Sequence, residues 1–128
     1  MPAALHLPRS LRRSAYALGA AALLLTAIAI AHDAGTGWWQ LAVFAVAPDL
    51  ALLAGAGRGL ERGQLHPRAV PLYNALHRLV GPAVLAAIVL VASLGTGWLV
   101  AALAWGFHVC LDRAVGYTLR TREGFLRG

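Results

Sequence analysis

Asp49, Tyr73, Asn74, His77, His108, Asp112, Arg113 and Tyr117 stand in or beside long apolar runs of the chain. On insertion scales an ionisable side chain at the centre of a bilayer costs about 3 kcal/mol unless it is paired, solvated or bound to something. A convergence of such residues is therefore a candidate site. Two imidazoles and two carboxylates, His77, His108, Asp49 and Asp112, make a ligand set for a divalent metal. Imidazole suits zinc, iron or nickel, and carboxylate extends the range to manganese. A metal in a dry pocket would activate water toward a phosphate ester or an amide. Arg78 and Arg113 could hold an anionic substrate. No ligand pair falls in a zincin-type helix motif, so the set rests on residue type and placement.

Other chemistries fit the same residues. As a structural core, Asp112 would pair with Arg78 and Asp49 with Arg113, while His77 and Asn74 complete a hydrogen-bonded network. For transport, Asp49 and His108 could relay protons or bind an ion. For electron transfer, His77 and His108 could ligate haem, against a depth difference of about 8 Å on straight helices. Elsewhere the chain offers little. His6, His32 and His66 lie in flanks and links, the single Cys110 suits packing, and no glycine-rich phosphate loop or Ser/His/Asp arrangement stands out.

The elements that must position these residues are membrane helices. At 59% apolar and 12% charged, with mean hydropathy +0.67, the 128-residue chain departs from soluble composition and reads as one transmembrane domain, 1–128. Four apolar runs, about 14–31, 38–54, 72–93 and 98–117, approach the roughly 20 residues that a helix needs to cross a bilayer. An all-α, four-helix bundle of two helical hairpins is expected. The net charge of +6 comes from arginine, in blocks around Arg12, Arg62 and Arg122. That block pattern excludes nucleic acid and favours the lipid bilayer, with anionic headgroups against the arginine-rich face. The hairpin links carry no arginine, so both termini and the central loop Gly55 to Pro71 face the cytoplasm. An oligomer is compatible with this chain.

The first run also resembles a cleavable signal peptide. Against cleavage, Gly35-Thr36-Gly37-Trp38 recurs as Gly95-Thr96-Gly97-Trp98, which makes the first run the counterpart of the third. On straight helices at about 1.5 Å per residue, His77 shares a level with Asp112, and Asp49 with His108 one turn above. His108 and Asp112, four apart, project from one face. Pro48 and Pro82 free the carbonyls of Phe44 and Arg78, opening the backbone nearby.

The order Trp38-Trp39, Pro48-Asp49, Tyr73-Asn74 with His77, then His108 with Asp112-Arg113 and Gly116-Tyr117-Thr118-Leu119-Arg120 resembles the family called domain of unknown function 4260. The resemblance spans roughly Gly37 to Arg120. Thr118 stands where a glycine is usual, and the family's threonine-histidine-leucine-glycine tail is missing. The resemblance implies a small bacterial inner-membrane protein with these polar positions in common. It implies no reaction.

Overall fold

The structure, a computed structural model, describes residues 6–127. Those residues are all-helical apart from one isolated bridge between Arg120 and Leu126. The elements are α1 (Arg9–Ala34), α2 (Trp38–Val46), α3 (Leu50–Ala54), α4 (Val70–Leu76), α5 (Val80–Ala92) and α6 (Thr96–Val115). Short 3₁₀ turns cover Ala47–Asp49 and Pro67–Ala69. Two helices, α1 and α6, are long and apolar enough to cross a membrane. The segment Pro67–Leu76 with Val80–Ala92 passes the same test as a pair bent by 49°.

The second and third apolar runs are thus interrupted. The second leaves α-geometry at Ala47–Asp49, where Pro48 has no N–H to continue the ladder. The third breaks at His77 to Leu79. Pro82 cannot follow an α-helical residue four back, but it is tolerated in the first turn of α5, where N–H groups lack partners anyway.

Helix α6 lies at the centre, packed against α1, α2 and α5. Its buried positions include Gly97, Ala101, Ala102, Ala104 and Gly106, small residues that let neighbouring helices approach closely. A methyl group at Gly106 would meet Leu23 of α1 at 3.2 Å, and one at Gly19 would meet Cys110 at 3.7 Å. Cys110 is therefore a packing residue of this seam, as its apolar setting implied. The outer sides of α1 and α5 expose Leu18, Leu25, Val84, Leu90 and Val91, an apolar surface suited to lipid.

The two glycine-threonine-glycine-tryptophan links differ in detail. The first ends α1 on Gly35 and starts α2 at Trp38, with Gly35 and Gly37 both at positive φ. The second ends α5 on Ser93 at φ 50 and starts α6 at Thr96, two residues before its tryptophan. The sequence repeat therefore does not carry a repeated turn. Both bring tryptophans to one end, where Trp39 and Trp98 meet edge to face at 5.7 Å.

At the opposite end the central link is tied down by the tail. Leu65 N–H donates to the Gly124 carbonyl at 2.9 Å, and the Gln64 amide to Glu123 at 2.8 Å. Buried Arg120 donates to the carbonyls of Gly63 and Gly124 at 3.0 and 2.8 Å. Gly124 holds φ +101, and a methyl group there would overlap the Leu65 carbonyl oxygen. Gly124→Ala should therefore destabilise the fold by about 1–3 kcal/mol through left-handed strain and loss of this clasp. The check is a lower melting temperature in detergent together with new protease cleavage in the link. An unchanged melt and unchanged protection would refute the clasp.

Candidate metal centre

Four side chains from the two broken segments and α6 meet at one point. His77 closes α4, Asp49 ends the 3₁₀ turn after α2, and His108 and Asp112 share a face of α6. Their ligand atoms, one from each residue, all lie within 4.8 Å of one another. The two Nε2 atoms are 3.3 Å apart. Asp49 Oδ1 is 3.3 Å from His77 Nε2 and 3.2 Å from His108 Nε2. Asp112 Oδ2 lies 3.4 and 3.5 Å from the same two atoms. Four ligands at about 2.0–2.1 Å around a tetrahedral ion stand roughly 3.3–3.4 Å apart.

Each imidazole is oriented by its other nitrogen. His77 Nδ1 donates to the Tyr73 carbonyl at 2.8 Å, and His108 Nδ1 to the Ala45 carbonyl at 2.7 Å. A carbonyl can only accept, so both Nδ1 atoms carry hydrogen and both neutral rings present a bare lone pair at Nε2. Ala45 is free to accept because α2 ends at Val46, so no helical N–H competes for its carbonyl. Tyr73 stacks on His77, with ring centres 4.0 Å apart and planes at 16°, and Arg120 covers its far side at 4.8 Å. Both histidines are buried, Asp112 is largely so, and Asp49 is about half exposed.

Helix α6 also serves the break before α5. Trp105 Nε1 donates to the Leu76 carbonyl at 2.8 Å, and Arg113 donates to the His77 carbonyl at 2.8 Å. In an unbroken helix those carbonyls would have taken backbone donors. Trp105 and Arg120 were missed in the sequence. The spacing of Trp105, His108 and Asp112 on one helical face was the signal that could have found the first.

The sequence-derived set divides. Asp49, His77, His108 and Asp112 converge, and Tyr73 supports them. Arg113 does not pair with Asp49; it donates to the carbonyls of His77 and Tyr117. Arg78 is exposed and does not meet Asp112. Among the described residues no arginine forms a salt bridge. Asn74 instead anchors the tail. Its amide donates to the Arg120 carbonyl at 3.0 Å and accepts the Arg120 N–H at 2.8 Å. Tyr117 lies exposed beyond α6, with its carbonyl rather than its ring engaged. Straight helices set His77 and His108 about 8 Å apart in depth, yet across the bent third run their Nε2 atoms meet at 3.3 Å.

An all-helical chain with two helices fit to span a membrane, centred on a buried His/Asp cluster, is the class that these features define. Residues 14–127 match the family described as domain of unknown function (DUF4260), and the chain belongs to it. Neither a curated protein nor a solved structure matches the chain.

The geometry separates ligand from anchor. Asn74→Ala should cost about 1–3 kcal/mol through two lost hydrogen bonds to the tail, yet leave the metal content of purified protein unchanged. A loss of bound metal with an unchanged melt would instead make Asn74 part of the cluster.

Proposed function

We propose that His77, His108, Asp49 and Asp112 hold one divalent first-row metal ion, and that this centre supports hydrolase-type chemistry on an anionic, lipid-like substrate. One observation carries the reading. Four atoms bearing lone pairs face each other at 3.2–3.5 Å along five of their six edges, and neither neutral imidazole has a proton to place between them. Without a cation, those lone pairs repel, and of the four residues only Asp49 is exposed enough for water to screen it.

Two neutral histidines and two aspartates suit zinc, iron or manganese. The carbonyls of Tyr73 and Ala45 act as the outer partners that orient ligating imidazoles and raise their basicity. With all four residues bound, a water or substrate oxygen would have to join as a fifth ligand, and such a metal would supply Lewis-acid activation of that oxygen. Asp49 is the most exposed ligand and follows the helix break, so substrate approach is expected on its side.

The same reading sets the protein in a bacterial inner membrane as a single domain of four crossings in two hairpins, the second and third crossings interrupted. Arginine distribution supports cytoplasmic termini and a cytoplasmic central loop. Packing of Leu23, Gly19 and Arg13 of α1 along α6 supports a retained first helix.

Detergent-purified protein should contain about one equivalent of a first-row metal. His77→Ala or His108→Ala should abolish retention, and cobalt substitution should give tetrahedral absorption bands. Protons compete for the ligands, so occupancy should fall as pH is lowered. Phosphate-ester hydrolysis should follow metal content. Metal-free protein that binds none of these ions on reconstitution would leave the cluster as a structural core or a proton path. A metal bound without any such activity would overturn only the hydrolase part.

A further inference from the structure

A second polar site lies beside the metal cluster, at the arginine-rich end. The start of α1, the end of α6 and the tail enclose a cavity of about 500 Å³. Arg9, Arg12, Arg13, Arg113 and Arg127 line it with Tyr16, and among the described residues no carboxylate does. Two of the guanidiniums are fixed by backbone: Arg13 Nε donates to the Ala114 carbonyl at 2.7 Å, and Arg113 donates to His77 and Tyr117. Arg13 also lies over Gly116, where a methyl group would come within 3.9 Å of its guanidinium carbon. The side chains of Arg9, Arg12 and Arg127 make no hydrogen bond or salt bridge among the described residues. The tail that brings Arg127 here is itself held, since Arg127 N–H donates to Leu119 and Thr118 Oγ1 donates to the Arg127 carbonyl at 2.6 Å.

Five like charges around one cavity repel each other unless an anion joins them. Guanidinium forks match the oxygens of a phosphoryl group, which accepts several charge-assisted hydrogen bonds at once. We propose that this cavity is a binding site for a phosphate headgroup of net negative charge. The cavity lies at the start of α1, a helix long and apolar enough to cross a membrane, where lipid headgroups would be met. The site does not need the metal, so it stands independently of the reading above. Through Arg113, which holds the His77 carbonyl, it is nonetheless joined to a candidate ligand.

The test is isothermal titration of the full chain in neutral detergent with dihexanoyl phosphatidic acid, dihexanoyl phosphatidylcholine and inorganic phosphate. Saturable binding of phosphatidic acid, at least about tenfold tighter than phosphatidylcholine, is expected. The double variant Arg12→Gln, Arg127→Gln should weaken it by about tenfold or more, as for loss of charge-assisted hydrogen bonds. Arg127→Gln alone, on the tail, gives a milder second reading if the double variant folds poorly. Inorganic phosphate binding as tightly as the lipid would keep the site and assign it to a soluble phosphate. Equal binding of both lipids, or unchanged binding in folded variants, would overturn the proposal. So would loss of phosphatidic acid binding on chelation, because the phosphate would then sit on the metal.

Discussion

Backbone carbonyls released at a helix break must find donors, and away from water only other protein groups can supply them. Ala45, where α2 ends, and Leu76 and His77, between α4 and α5, are among the carbonyls in that position. All three are met from α6, by His108, Trp105 and Arg113 in turn. This obligation fixes where the two broken segments lie against the central helix. Once they are seated, Asp49 and His77 have only one place to point.

The small-residue seam of α6 makes that seating feasible. Trp105 packs on Gly81, where a methyl group would meet its ring at 2.5 Å. A side chain at Gly81 would push the broken segment outward, and the Trp105 hydrogen bond to Leu76 with it. Glycine at 81 and proline at 82 thus act together, one admitting the indole and the other ending the preceding helix. Breaking the helix costs backbone hydrogen bonds, which the side chains of α6 replace almost one for one. The same side chains bring His108 and Asp112 to the opening, so stability and site depend on one helical face.

Much of the site was legible in the sequence, because ionisable residues in apolar runs are few. Asp49, His77, His108 and Asp112 stood out on residue type alone, and the i, i+4 spacing aligned the last two. Their mutual distances were not legible. Straight-helix arithmetic gives only backbone depth, about 8 Å between His77 and His108, and not that their Nε2 atoms meet at 3.3 Å beside the bend at His77 to Leu79. Arg113, Asn74 and Tyr117 were assigned by proximity in sequence, and tertiary demand reassigned two of them to backbone hydrogen bonds. The two helices long enough to span followed from hydropathy. The clasp between the central link and the tail did not, since it depends on long-range backbone pairing around Gly124, for which hydropathy has no signal.

Charge balance gives the cluster its remaining constraint. Asp49 and Asp112 bring two negative charges to a site whose histidines are 1% and 5% exposed. In most proteins arginine would neutralise them. This chain has eleven arginines, yet among the described residues none pairs with either carboxylate. Arg113, the nearest in sequence, is turned to carbonyls instead. Water can screen half-exposed Asp49, but the charge of largely buried Asp112 must be met by protons or by a cation. Protonating both imidazoles would set two positive charges with Nε2 atoms 3.3 Å apart, a repulsion that grows as water is excluded. Protonating one leaves a net negative charge and a single hydrogen for three acceptors. A divalent ion at the common centre cancels both carboxylates and occupies both lone pairs at once. On the proposed reading, arginine kept out of the cluster and gathered at the adjoining cavity would express one division of labour: a cationic centre supplied from outside, and fixed positive charge held in reserve for an anion beside it.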